Sequence, residues 1–159
     1  MRRDVKALFT FVAASLLFLS AAVAQDARQA GIRILVYGAD SVAHCAAPLK
    51  ALQQELPTLQ FPDGWTVGIV CNPIAWAEIL QIANPPRTSS AFSNLIRRST
   101  VLNAAIFRAP RAIYHHTLAH ELGHATCNCS SEKRAEEFAV QYELSERQMA
   151  TAHLGARTH

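Results

Sequence analysis

His120 and His124 stand four residues apart, with Glu121 directly after the first, and that spacing has one consistent meaning on an α-helix. At about 3.6 residues per turn, residues i and i+4 project from the same face. Two neutral imidazole nitrogens held in this way can chelate Zn²⁺ at about 2.0–2.1 Å. Glu121 is one step round the helix, close enough to reach a metal-bound water without becoming a ligand. The opposite face offers Leu118, Leu122 and Ala125 to a core. Gly123 has low helix propensity, so its place in mid-helix implies close approach by another element. Whatever the chain folds into must supply a helix over about Ala112 to Thr126, buried on one side and chemically active on the other.

A catalytic zinc has three protein ligands and keeps one position for water, so a third donor is required nearby. The turn Cys127-Asn128-Cys129-Ser130 leads into Glu132-Lys-Arg-Ala135-Glu136-Glu-Phe138-Ala139. Glu132 falls in the first turn of the next helix, where the macrodipole favours a carboxylate. Glu136 lies one turn on, on the same face, with Ala135 and Ala139 small enough for close packing and Phe138 and Tyr142 expected to enter the core. Taken together, His120-Glu-Leu-Gly-His124 followed by Glu132-x-x-Ala135-Glu136-x-Phe138-Ala139 resembles the small gluzincins, zinc peptidases whose third ligand is a Glu on the helix after the motif. The run is similar both to ImmA/IrrE-type domains and to the CAAX-prenyl-protease-like group, whose pattern is Glu-x-x-Ala-(Asp or Asn)-x-Phe-Ala. The resemblance implies a zincin-like domain in which His120, His124 and Glu132 bind zinc and Glu121 is the general base. It covers about 20 of the 159 residues. Glu136 departs from the family pattern, standing where an Asp or Asn would orient a ligand from behind. Either Glu132 or Glu136 can then be the third ligand, and the family pattern favours Glu132. The transmembrane spans of the prenyl-protease-like group are missing, so its substrates do not carry over.

The first 24 residues read as a secretory signal peptide. Arg2, Arg3 and Lys6 give a positive start, an apolar run follows from Ala7 to Leu19, and Ala22-Val-Ala24 supplies a cleavage site. An uncleaved anchor is the alternative, since the apolar run is only slightly short of a membrane span. Residues 25–159 are then one exported domain, periplasmic or secreted, with no membrane contact after cleavage and expected to be a monomer. Losing three positive charges and one negative takes the formal net charge from +3 to +1. With no long Lys/Arg run left, nucleic acid is a poor partner. Four cysteines, Cys45, Cys71, Cys127 and Cys129, follow the cleavage site, and an even number in an exported protein favours two disulfides. Joining Cys127 to Cys129 closes a very small ring, which favours pairing each of them with Cys45 or Cys71. The alternative use of Cys127 or Cys129 is as a metal ligand.

Hydrophobic patterning places strands at Ile32–Tyr37, Trp65–Cys71 and Thr100–Phe107, and helices at Ser41–Leu56 and about Ile74–Ile82. Asn84–Ser93, rich in Pro, Ser and Thr, reads as a loop. Two helices, about Ala112–Thr126 and Ser131–Glu146, close the chain, and the tail from Thr151 has no clear pattern. The implied class is α+β, a three- or four-stranded sheet with the motif helix and the glutamate helix packed on it. The strand preceding the motif helix is expected at the sheet edge, where it could take an extended peptide by strand addition.

The function these residues imply is zinc-dependent hydrolysis of peptide bonds in a peptide or protein substrate. Glu121 takes a proton from the zinc-bound water and returns it to the leaving amine. Candidates for stabilising the oxyanion are His153, His116 and Tyr142. His116 lies one turn before His120 and could equally be a solvent-facing or hydrogen-bonded residue, while His115 lies off the metal face. Trp65 and Trp76 read as core or rim aromatics. The competing expectation is a non-catalytic zinc domain with a structural or partner-binding role, against which the presence of Glu121 argues, because a structural site needs no base.

Overall fold

A computed structural model describes residues 27–29, 32–37, 42–83 and 89–155. Residues 1–24, read above as a signal peptide, lie outside the described residues. The elements in chain order are β1 (Ala27–Gln29), β2 (Ile32–Tyr37), α1 (Val42–Glu55), β3 (Thr66–Val70), α2 (Pro73–Ala83), β4 (Ala91–Asn94), β5 (Ser99–Asn103), a 3₁₀ turn (Ala104–Arg108), α3 (Arg111–Cys127) and α4 (Glu132–Gly155). The fold is of the α+β class. Its mixed sheet has the order β1-β2-β3-β5-β4. The middle three strands are parallel, and the short β1 and β4 run antiparallel along the two edges.

Register and burial explain why these segments are strands. Ile34, Val67 and Thr100 lie side by side across β2, β3 and β5, as do Val36, Ile69 and Leu102. All six are buried, and they form the sheet face on which the main core is built. Against that face pack Leu52 of α1 and Leu56 in the turn just after it, Leu118, Leu122 and Ala125 of α3, and Ala139 of α4. Alternation along β4 sends Phe92 to the opposite face, where its ring lies 6.0 Å from that of Trp76 on α2. Both tryptophans are buried.

Several expectations are corrected. The segment expected to be a loop over Asn84–Ser93 ends in strand β4, whose four residues are too short and too polar to announce themselves by pattern. As a result β5 is interior, and β4, not the strand immediately before the motif helix, forms the edge. Strand β5 also stops at Asn103, because the Asn103 side chain caps a 3₁₀ turn by accepting from the Ala105 N–H at 2.9 Å. The disulfide pairing differs as well, being Cys45–Cys71 and Cys127–Cys129. Strands β2 and β3 are parallel, so the residues that follow them emerge at one end of the sheet, and Cys45 meets Cys71 with Cα atoms 5.5 Å apart. Between Cys127 and Cys129, Asn128 adopts the left-handed conformation that terminates α3 (φ 48°), and the reversal brings the two Cα atoms to 5.2 Å. Helix α4 runs on to Gly155, so the patternless stretch from Thr151 begins as its last turn.

Helices α3 and α4 form an antiparallel hairpin that contains one very close backbone contact. A Cβ built on Gly123 would lie 2.8 Å from both the Cα and the carbonyl oxygen of Ala135, and 3.1 Å from Phe138 Cβ. This is the close approach that the mid-helix glycine implied. No described helix is long and apolar enough to cross a membrane. Gly123→Ala gains about 1 kcal/mol of helix propensity but must push two backbones apart, which costs about 1–3 kcal/mol. We expect the clash to win, with a melting temperature lower by up to roughly 10 °C in calorimetry, where propensity alone would raise it.

Candidate metal centre

The hairpin sets a row of histidines on α3 against a row of glutamates on α4. His124 Nε2 lies 3.5 Å from Glu132 Oε1, and His120 Nε2 lies 3.1 Å from Glu132 Oε2. Further along, His120 Nδ1 meets Glu136 at 3.1 Å and His116 Nδ1 meets Glu143 at 2.9 Å. Donor atoms of His120, His124 and Glu132 all fall within 4.8 Å of one another, a group that could hold a metal ion. The donor chemistry, two imidazole nitrogens and one carboxylate oxygen, is the type that zinc accepts.

Each ring is also held from behind. His124 Nδ1 is 2.9 Å from the carbonyl oxygen of Cys129, and His120 Nδ1 faces Glu136. The Cys129 carbonyl can only accept, so His124 Nδ1–H donates to it and the Nε2 lone pair turns towards Glu132, the tautomer a ligand needs; His120 would reach the same state by giving Nδ1–H to Glu136. Glu136 therefore stands behind His120, while Glu132 faces both Nε2 atoms. The hydrogen bond from His120 holds the Glu136 carboxyl below its usual range, with His116 adding to the effect.

Glu121 points away from this row, towards the sheet. It is only 5% exposed, and its Oε2 accepts a hydrogen bond from Ser93 Oγ on β4 at 2.7 Å. Burial pushes its pKa up, opposed by the Ser93 hydroxyl and by the nearby His124 and His120. A cleft of about 540 Å³ opens between α3, the start of α4 and the β4 edge. Ser89 to Ser93, His116, His120, Glu121, His124, Glu132 and Glu136 line it.

Other predicted residues fall as follows. His116 borders the cleft, yet both its nitrogens are engaged, Nδ1 with Glu143 and Nε2 with Glu136 at 3.3 Å. Tyr142 stands outside the cleft. It stacks on Phe138, donates its hydroxyl to the Thr58 carbonyl, and has its pKa raised chiefly by burial. His153 belongs to the last turn of α4, and its side chain lies outside the described residues. His115 faces away from the metal row as expected. It is buried between Glu55 of α1 and Glu146 of α4, each at 2.7 Å, and Arg111 binds Glu55 through two nitrogens at 2.7 and 2.8 Å.

Sequence reasoning did not find Ser93, Glu143 or the Cys129 carbonyl. Glu143 had a signal, since it lies seven residues beyond Glu136 and so on the same stripe of α4. Ser93 had none, because nothing in its neighbourhood marks it as facing Glu121. Comparison with protein-family models, with curated proteins and with solved structures finds no match to this chain.

Substitution ranks the glutamates. Glu132→Ala should abolish tight metal binding, Glu136→Ala should weaken it by about 10- to 100-fold, and Glu137→Ala, on an exposed side chain facing Lys133, should leave it unchanged. Competition against a chromophoric chelator reads all three, and a larger loss at Glu136 than at Glu132 would transfer the ligand role to Glu136.

Proposed function

We propose that this protein is an exported, zinc-dependent metallopeptidase of the gluzincin type. The observation that carries the reading is the division of labour on α3. His120 and His124 converge with Glu132, while Glu121, between them in sequence, is left out of that group and lies on the cleft wall beside a sheet edge. A purely structural site has no use for such a carboxylate and closes its fourth position with a protein ligand.

His120, His124 and Glu132 would hold the zinc, and zinc bound there would supply Lewis acidity that polarises a carbonyl and makes a water more acidic. The remaining chemistry falls to the chain's own groups. Glu121 Oε2 is engaged by Ser93, and Oε1 is the oxygen free to take a proton from water in the cleft and to deliver it to the leaving amine. The buried surroundings that raise the affinity of Glu121 for a proton suit that double task. Among the described residues nothing pairs with the outer edge of strand β4, which borders the same cleft, so an extended peptide can add to it as a further strand. Two disulfides fit an oxidising compartment such as the periplasm or the cell exterior, in line with the signal-like N-terminus.

The test is hydrolysis of an unstructured protein such as casein by the purified mature chain, with zinc measured by mass spectrometry. We expect activity that a chelator removes and zinc restores. Glu121→Gln should keep its zinc and lose about 10²- to 10⁴-fold in rate. An undiminished rate in that variant rules the mechanism out. Stoichiometric zinc without hydrolysis of any peptide library would favour a non-catalytic zinc domain.

A further inference from the structure

Behind Glu121 the hydrogen bonds continue into the core. Trp65, just ahead of β3 and 2% exposed, donates its indole N–H to Thr100 Oγ1 at 3.0 Å. Thr100 on β5 is fully buried and lies directly across from Ser93 on β4, their hydroxyl oxygens 2.8 Å apart. Ser93 Oγ then reaches Glu121 Oε2 at 2.7 Å and lies at the limit of reach, 3.5 Å, from the Glu121 backbone carbonyl.

The direction of these bonds follows from counting protons. An indole N–H only donates, and each hydroxyl has one proton and can accept as well. Thr100 Oγ1 accepts from Trp65, and its other partner among the described residues is Ser93. If Ser93 gave its proton to Thr100, the Thr100 proton would be left without an acceptor among the described residues at a fully buried position, at the cost of a buried unmade hydrogen bond. No buried side-chain polar atom among the described residues goes unpaired. The arrangement that satisfies every group runs Trp65 to Thr100 to Ser93 to Glu121.

We propose that Trp65, Thr100 and Ser93 form a one-way hydrogen-bond chain that positions Glu121, holding its Oε2 against β4 and turning its Oε1 to the cleft. Ser93 and Thr100 are positioning residues, acting through Glu121 and not on a substrate. The same chain ties the glutamate to the edge strand, so the separation between a peptide paired on β4 and the carboxylate is set by the core. The kinetic consequence rests on the metallopeptidase reading, whereas the chain itself does not.

The sequence has 2 tryptophans, Trp65 and Trp76, so the mature protein gives two indole N–H resonances in a ¹⁵N-labelled sample. Trp76 packs on Phe92 on the other face of the sheet and reports on the fold. Glu121→Gln and Ser93→Ala should each move the Trp65 resonance and leave that of Trp76 in place, while Ser93→Thr, which keeps the hydroxyl, should move neither. A Trp65 resonance indifferent to Glu121→Gln overturns the chain, and that variant decides alone if Ser93→Ala disturbs Trp76. On a hydrolysed peptide, Ser93→Ala should lower kcat by roughly tenfold or more with KM and zinc affinity unchanged, and Ser93→Thr should restore it. An unchanged kcat in Ser93→Ala overturns the positioning role. If the unaltered protein hydrolyses nothing, the metallopeptidase reading fails, and the indole resonances still decide for or against the chain.

Discussion

The contact between Gly123 and Ala135 is the constraint on which the rest of the site depends. With no Cβ on one helix and a methyl group on the other, α3 and α4 approach until a further atom would meet backbone. At that separation imidazoles on α3 and carboxylates on α4 lie within bonding reach of each other. The antiparallel course of the hairpin then fixes the pairing, His124 and His120 with Glu132, His120 with Glu136, and His116 with Glu143. A larger residue at either contact position would open the row as a whole, because the helices are rigid and the separation is shared.

The sheet acts on the same helix from the other side. Leu118 and Leu122 anchor α3 in the core shared with β2, β3 and β5, which fixes its rotation. That rotation directs Glu121 at β4 while His120 and His124 face α4, so one turn of helix serves two different environments. Glu121 is drawn in opposite senses there. Burial favours the neutral carboxyl, whereas the Ser93 hydroxyl and the two nearby imidazoles favour the charged form, and burial prevails.

The long periodic elements were legible in the sequence, and so were their faces. Helix α3 was expected over Ala112–Thr126 and spans Arg111–Cys127, with Leu118, Leu122 and Ala125 buried as their spacing required. The close approach at Gly123, the small stripe at Ala135 and Ala139, and the turn of His115 away from the face of His120 were read from local chemistry alone. Strand β4 escaped because four residues give no usable periodicity, and with it escaped the sheet edge and the Ser93 hydroxyl. The disulfides were misassigned for a related reason. Ring size argues against Cys127–Cys129 only when the chain between them is taken as ordinary, and Asn128 is left-handed.

By itself the sequence determined the helix, the pair of histidines on one face of it, and a glutamate-bearing helix following a short turn, since these depend on spacing within a single element. Tertiary structure decided which glutamate faces the histidine nitrogens, which carbonyl and carboxylate hold the rings from behind, and which strand borders the cleft. Those choices depend on distances between elements, and such distances are set by packing, through a missing Cβ at Gly123 and by the order of strands in the sheet. His120-Glu121-Leu122-Gly123-His124 thus carries its chemistry in its first, second and last residues, while Leu122 and Gly123 hold the helix where that chemistry can be completed by Glu132 and Ser93.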